Sequence, residues 1–194
     1  RKAKKFFDIV TYTGNGTAGR TVSHNLGSVP GMFIVKEYGA SGENWSVYHR
    51  GMTLSLNGNS NANNKTISLN HNSAASSSIN HWNNTTPTDS VFTLGDEAGV
   101  NGNGKSFVAY LFAHNNNDGE FGPDSDQDII KCGSAPASAA TDIDLGFEPQ
   151  WIMIKRTDSS GDWQIFDTMR SLVVDASDNQ KLEANTSDAE AGSS

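Results

Sequence analysis

The stretch LGSVPGMFIVKEYGASGENWSVYH (residues 26–49) returns later in the chain as LGFEPQWIMIKRTDSSGDWQIFD (residues 145–167). Both stretches contain a Leu-Gly turn, a proline, an apolar run that ends in lysine, a Ser-Gly turn and a tryptophan, in that order. Chance is a poor explanation for so many spaced elements. The chain is therefore predicted to contain an internal repeat, which has to be recognised before a fold is assigned.

The two copies of this repeat differ in length. Asp8 and Asp128 are 120 residues apart, Trp45 and Trp163 are 118 apart, and residues 70–74 resemble residues 185–189. The first copy continues into two further apolar segments, for which the second copy has no equivalent. A half-repeat without its longest strand should not bury its own core. We expect a first β-sandwich repeat at 1–116, an acidic linker at 117–127 and a partial second repeat at 128–194. Either the chain is truncated or a neighbouring chain supplies the missing strands.

The predicted fold is all-β, with tandem antiparallel, jelly-roll-like β-sandwich domains. Short segments rich in β-branched and aromatic residues are bounded by Gly, Asn, Asp or Pro, which is typical of strands. The segment Phe107–Ala113 is apolar on both faces and should be a central strand. Two Gly-Asn-Gly turns, at 14–16 and 102–104, are interpreted as hairpin turns. Strands are predicted near residues 6–13, 20–24, 32–36, 45–49, 65–70, 90–94, 105–113, 128–132, 141–145, 151–156 and 163–167.

The composition argues against several partners. The formal net charge is −8, so the surface should repel nucleic-acid phosphates and anionic lipid, and we predict neither nucleic acid nor membrane as a partner. No stretch is long and apolar enough for a transmembrane helix. The single cysteine, Cys132, excludes an intrachain disulfide and is interpreted as a buried small apolar residue.

Two sets of aromatic and polar residues are candidate sugar contacts, because sugars stack on aromatic rings while amides and imidazoles bond their hydroxyls. For Trp45 and its counterpart Trp163, core packing is the competing interpretation. Trp82 lies in a loop-like Asn/Thr/Pro segment that leaves burial and exposure equally open. The candidate ligand-binding residues are Trp45, Tyr48, His49, Trp82 and Asn83.

The acidic run Asp124-x-Asp126-x-Asp128 resembles the opening of a calcium loop, since hard cations prefer oxygen ligands. Ile129 and Ala135 occupy the places where an EF-hand has glycine and glutamate, which excludes that motif. An irregular calcium site and a solvated linker remain as alternatives. No other cofactor is predicted.

No sequence motif points to an enzyme. The five histidines show no zinc-protease spacing, and there is no nucleophile elbow or phosphate-binding loop. A carboxylate pair such as Glu148 and Asp167 could serve a glycosidase, although Glu148 precedes a proline in a turn-like segment. We therefore predict that the protein is not an enzyme.

The chain also resembles a family of repeat domains in tail-fibre and virion structural proteins of marine, cyanophage-like bacteriophages. The resemblance covers nearly the whole chain and departs from the family where Ala135-Pro136-Ala137 replaces a Tyr-Thr-Gly turn. The matching segments include FFDIVTYTGNG (residues 6–16), VSHNLG (22–27), WSVYH (45–49), WNNTTPT (82–88), YLFA (110–113), IKCGS (130–134), LGFEPQW (145–151) and residues 163–170.

This resemblance implies a non-enzymatic virion protein, a tail-fibre or surface-fibre module on the outside of the particle. Its role would be assembly and host attachment. The implied partners are other copies of itself, often as a trimer, other virion proteins and a host surface glycan. The alternative is a carbohydrate-binding, lectin-like module. The family brings no catalytic motif with it.

Overall fold

The computed structural model describes residues 2–39, 42–52, 61–115, 121, 124, 126–136, 142–170 and 179–192. In these ranges the chain is built from antiparallel strands with only short helices, which confirms the all-β prediction. None of the described helices is long and apolar enough to cross a membrane. The strands are β1 (Phe7–Thr13), β2 (Arg20–Ser23), β3 (Pro30–Glu37), β4 (Ser46–His49), β5 (Lys65–Ser68), β6 (Ser76–Ser77), β7 (Val91–Leu94), β8 (Ser106–Ala113), β9 (Trp151–Ile154), β10 (Gln164–Asp167), β11 (Gln180–Glu183) and β12 (Ala191–Gly192), and the helices are α1 (Ile79–Trp82) and α2 (Ala98–Asn101).

The largest sheet has six strands in the order β1-β8-β3-β4-β5-β6. Strand β8 pairs with β1 on one side and with β3 on the other, so the prediction of a central strand at 107–113 is correct. Alternate residues of β8 from Phe107 to Ala113 are fully buried on one face. Phe33 and Val35 of β3 share that face, because paired residues on antiparallel strands point to the same side. We call this face the inner face.

The two-stranded sheet of β2 and β7 and the short helix α1 cover the inner face. Phe92 of β7 and Trp82 of α1 lie with their rings 5.0 Å and 4.9 Å from the ring of Phe33. Tyr48 of β4 stacks on Phe33 at 4.7 Å. Phe33, Trp82 and Phe92 are 0% exposed, and this aromatic cluster is the centre of the core.

The two Gly-Asn-Gly segments do not form hairpin turns, and that prediction was wrong. Strand β1 pairs with β8 rather than with β2, so the turn at 14–16 connects strands that are not neighbours. The two turns instead pack against each other, with the N–H of Gly104 donating to the carbonyl of Gly14 at 3.0 Å. A Cβ on Gly14 would lie 2.1 Å from the carbonyl oxygen of Gly102, so only glycine fits there. Buried Asn101 holds the pair together by accepting from the N–H of Asn15 and donating to the carbonyls of Thr17 and Gly95.

A four-stranded sheet in the order β12-β11-β10-β9 repeats the pairing of β6-β5-β4-β3. Phe33 pairs with Tyr48 in the first sheet, and the corresponding residues Ile152 and Phe166 pair in the second. The pairings of β4 with β5 and of β10 with β11 correspond in the same way. The register is therefore the same across all four strands.

One asparagine occupies the same position in both sheets. Asn70 accepts a hydrogen bond from the N–H of Trp45 at 2.9 Å and donates to the side chain of Asn44 at 3.1 Å. Asn185 accepts from the N–H of Trp163 at 2.7 Å and donates to Asp162 at 2.7 Å. This shared contact fixes the start of β4 and of β10.

Two of the predicted strands are absent. Residues 128–132 and 142–145 contain no strand, and residue 141 lies outside the described residues. In the first copy β1 depends on β8 for its partner, and the described part of the second copy offers none. The backbone of 128–132 bonds instead to the end of the first sheet, where the N–H groups of Ile129 and Ile130 donate to Asn115 and that of Cys132 donates to His114.

Candidate functional site

A cleft of about 380 Å³ opens at one end of the six-stranded sheet. Because neighbouring strands are antiparallel, the starts of β1 and β3 and the ends of β4 and β8 meet at this end. The connections beyond those strand ends, together with the turn before β7, form its walls. The lining residues are Lys5, Gly27, Ser28, Val29, Arg50, Asp89, His114 and Asn115.

Local backbone geometry fixes the wall on the β1 and β3 side. Lys5 and Gly27 have φ values of 59° and 76°, in the left-handed region. The N–H of Lys5 donates to the carbonyl of Leu26 at 2.7 Å, which ties the two segments together. Between them and β3, the hydroxyl oxygen of Ser28 is buried and has no hydrogen-bond partner among the described residues. A buried hydroxyl without a partner is uncommon and calls for an explanation.

The cleft contains positively charged groups together with hydrogen-bond donors and acceptors. Lys5 and Arg50 contribute cations and Asp89 a carboxylate, while Asn115 is a buried amide. Nearby, burial together with the charges of Arg50 and His114 lowers the pKa of His49 to about 4. His49 is thus neutral at neutral pH, and its Nδ1 accepts a hydrogen bond from the N–H of Gly51 at 3.0 Å. Such a set of donors and acceptors suits a ligand rich in hydroxyl or carboxylate groups.

The single cysteine, Cys132, is not a nucleophile. Burial raises the pKa of the Cys132 thiol to about 12, and its Sγ lies 3.5 Å from the carbonyl oxygen of Ala113. A protonated, enclosed thiol is inert at neutral pH. Cys132 thus packs as the small apolar residue that the sequence indicated, in the same cluster as the main core.

The predicted sugar-contact residues do not form a surface site, and two of them, Tyr48 and Trp82, meet in the core with their rings 6.2 Å apart. Trp82 is 0% exposed, and its indole N–H donates to the carbonyl of Lys65 at 2.8 Å. Tyr48 is buried, and its hydroxyl donates to Asn63 at 3.3 Å. Trp45 is half-buried, with its ring 6.3 Å from that of Tyr110. Trp82 and Tyr48 thus present no free ring face for a sugar, and for Trp82 this decides the question of burial that the sequence left open.

The other two predicted residues have different environments. Asn83 ends α1 in the left-handed conformation, with φ of 51°, and is half-buried. His49 precedes Arg50 in the chain and lies beside the cleft rather than in its wall. The sequence therefore predicted none of the residues that line the cleft, which come from five separate segments. The one available signal was their position, since each lies beside a predicted strand or in the connection between two of them.

The acidic residues are not assembled into a site. Asp124 and Asp126 are exposed and Asp128 is half-buried. Across the described ranges, no group of three or more His, Cys, Asp or Glu side chains could hold a metal ion. The calcium site therefore stays a prediction. Of the two carboxylates considered for glycoside chemistry, Glu148 is exposed and Asp167 forms an ion pair with Arg170.

Fold and site define an antiparallel β protein with two sheets of equal register and a polar cleft at one sheet end. Residues 2–194 match a protein family described as "Domain of unknown function (DUF7483)", and the chain belongs to that family. No curated protein matches the chain. No solved structure matches it either.

Proposed function

We propose that this chain is a non-enzymatic structural module of a bacteriophage virion, in a tail fibre or a surface fibre. The observation that supports the proposal is the equal strand register of the two sheets. A fibre is built by repeating one folding unit, and stacked β-units give a long, stiff object without disulfides. On this proposal, the two four-strand arrangements of equal register are versions of one such unit.

The joint between the two sheets is specific, as a stiff fibre requires. The indole N–H of Trp163 donates to the carbonyl of Ser68 in β5 at 2.9 Å. The N–H of Ala75 donates to the carbonyl of Thr157 at 2.9 Å, and that of Gly161 to the carbonyl of Asn72 at 2.8 Å. These contacts favour tandem β-sandwich repeats at 1–116 and 128–194, with residues 117–127 as the linker.

The proposal includes partners and a location. The module would lie on the outer surface of the particle and assemble with copies of itself, as a trimer, and with other virion proteins. The net charge of −8 speaks against nucleic acid and membrane as partners. Host attachment is part of the proposed role.

Immunogold labelling of intact phage particles with serum raised against this chain would test the proposal. Gold at the tail end would support the fibre assignment, and gold over the head would point to a capsid decoration. Absence of gold on particles that contain other tail proteins would contradict the virion role.

Carbohydrate recognition is the second candidate, and the cleft is the observation that favours it. Arg50 and Asp89 are exposed and offer the donor and acceptor groups that sugar hydroxyls need. We expect Arg50→Ala to abolish binding to a glycan array or to host cells. Arg156→Ala is the matched control, since Arg156 is exposed and pairs with Asp158 on the surface. Equal binding by both variants would contradict the cleft as a sugar site.

A further inference from the structure

Residues 129–133, which we call the connecting segment, lie between β8 and β9 and contain no strand. The side chain of Asn115, just after β8, holds the start of this segment. Its Oδ1 accepts hydrogen bonds from the N–H groups of Ile129 and Ile130 at 3.0 Å and 3.1 Å, and its own backbone N–H donates to the carbonyl of Ile130 at 2.8 Å. Because an amide side chain does not titrate, this contact is the same at acidic and at neutral pH.

The second half of the connecting segment depends on an imidazole instead. Nδ1 of His114 accepts a hydrogen bond from the N–H of Cys132 at 3.1 Å. Since Nδ1 can accept only while it carries no proton, the ring in this contact is neutral, with its proton on Nε2. Protonation of His114 would put an N–H on Nδ1, facing the N–H of Cys132, and the hydrogen bond would be lost.

The connecting segment fits closely where His114 holds it. A Cβ on Gly31 would lie 2.7 Å from the Cβ atoms of His114 and Cys132, and a Cβ on Gly51 would lie 2.8 Å from the carbonyl oxygen of Gly133. In this position Cys132 is 8% exposed. Release of the segment would therefore bring a buried thiol into contact with water.

The described charged and titratable groups around His114 are of both signs. Lys5, Arg50 and Asp89 line the same cleft as His114, and His49 interacts with it electrostatically. These groups belong to other parts of the first copy and stay in place when the connecting segment leaves. They therefore influence the pH at which the ring takes up a proton, while the hydrogen bond from Cys132 determines which form of the ring holds the segment.

We propose that His114 is a pH-sensitive switch, whose neutral ring holds residues 131–133 against the end of the six-stranded sheet and whose protonated ring releases them. Histidine side chains in water titrate at about pH 6.5, so the contact is closed at neutral pH and opens as the pH falls into the mildly acidic range. Because Asn115 keeps its hold, release is limited to the second half of the segment. The switch precedes the second sheet in the chain and does not depend on the virion role.

Cys132 is the single cysteine, so its reaction with dithiodipyridine in the whole chain reports on release. The rate at each pH would be divided by the rate of the urea-unfolded chain at the same pH, which removes the intrinsic pH dependence of the thiol. We expect the protection of Cys132 to fall at least about tenfold between about pH 8 and pH 5, because release is linked to the uptake of one proton. Hydrogen exchange should show faster exchange at the N–H of Cys132, while Ile130 and β8 stay protected.

Three substitutions assign the effect to one ring. His114→Asn places an amide oxygen near the position of Nδ1 and does not titrate, so protection of Cys132 should no longer depend on pH. His114→Ala removes the acceptor and should leave Cys132 unprotected throughout. His49→Asn is the matched control, because its amide oxygen can still accept from the N–H of Gly51 as Nδ1 of His49 does. Its pH dependence should equal that of the unsubstituted chain.

Several results would overturn the proposal. Protection of Cys132 that does not change with pH is one, and an unaltered pH dependence in His114→Asn is another. Loss of the pH dependence in His49→Asn would assign the switch to His49 instead. Loss of protection in β8 together with Cys132 would mean global unfolding rather than release of a segment. None of these results bears on gold labelling of particles, so failure here is distinct from failure of the virion role.

Discussion

The first and second sheets share strand pairing but differ in what covers them. In both, a tryptophan follows a Ser-Gly turn, an asparagine accepts a hydrogen bond from its N–H, and the paired residues correspond. The first sheet buries Val35 completely, whereas its counterpart Ile154 in the second is 52% exposed. Strand register therefore follows from local sequence and turns, while burial depends on elements that are distant in the chain.

The two sheets differ most in how they are covered at Trp82 of α1, because the second copy of the repeat has no corresponding tryptophan. Trp82→Ala should lower the free energy of unfolding by about 3–5 kcal/mol, because it empties a fully buried site and leaves the carbonyl of Lys65 without its donor. Urea denaturation followed by circular dichroism measures this change. A loss below about 1 kcal/mol would show that Trp82 is not the centre of the core. Any effect of this variant on sugar binding has to be compared with its loss of stability.

Trp45 and Trp163 are equivalent in sequence but not in environment. Trp163 is 5% exposed and donates to Ser68 of the first sheet, whereas Trp45 is half-buried beside Tyr110. We expect Trp163→Ala to destabilise the chain by about 2–4 kcal/mol and Trp45→Ala by about 1–2 kcal/mol. Hydrogen exchange should show the loss of protection in β9 to β11 for Trp163→Ala. Equal effects of the two variants would mean that the joint between the sheets contributes little.

Most of the strand positions in the two sheets could be predicted from the sequence. Alternation of apolar residues between Gly, Asn and Pro located β1 to β5 and β7 to β10, and the repeated tryptophan located the second sheet. Gln180–Glu183 escaped notice because its strand has no apolar pattern beyond Leu182. Residues 128–132 have a strand-like sequence but form no strand, since sequence pattern does not supply a partner.

The candidate site was less predictable. Trp82 is surrounded by polar residues in sequence, and only the turn of α1 directs it into the core. The cleft consists of residues from five segments that meet because the strands are antiparallel, and a single sequence does not give that topology. Local pattern thus predicts elements, and contacts over long sequence distances decide sites.

Asn70 and Asn185 occupy the same position in the two sheets, so substituting each of them tests whether the two copies of the repeat are structurally equivalent. Asn70→Ala and Asn185→Ala each remove two hydrogen bonds, and each should destabilise its own sheet by about 1–2 kcal/mol. Residue-resolved hydrogen exchange should show that Asn185→Ala affects β10 and β11 while β4 and β5 stay protected. A variant at either site that affects both sheets equally would indicate one cooperative unit instead of two.

The smallest expected effect concerns the pH dependence of stability, through a histidine beside the cleft at the end of the six-stranded sheet. Burial, Arg50 and His114 lower the folded-state pKa of His49 to about 4, below the unfolded value of about 6.5. The unfolded chain therefore binds the proton first as the pH falls. The contribution of neutral His49 to stability is intact above about pH 6.5 and is lost progressively toward about pH 4.

His49→Gln should flatten part of this dependence, measured as the free energy of unfolding at intervals between pH 7 and pH 4. It removes only part, because burial also lowers the pKa values of His24 and His81, which titrate in the same direction. His71→Gln, at an exposed histidine, is the control variant. If His49→Gln and His71→Gln gave the same profile, the end of the six-stranded sheet would be more open to water than its geometry indicates.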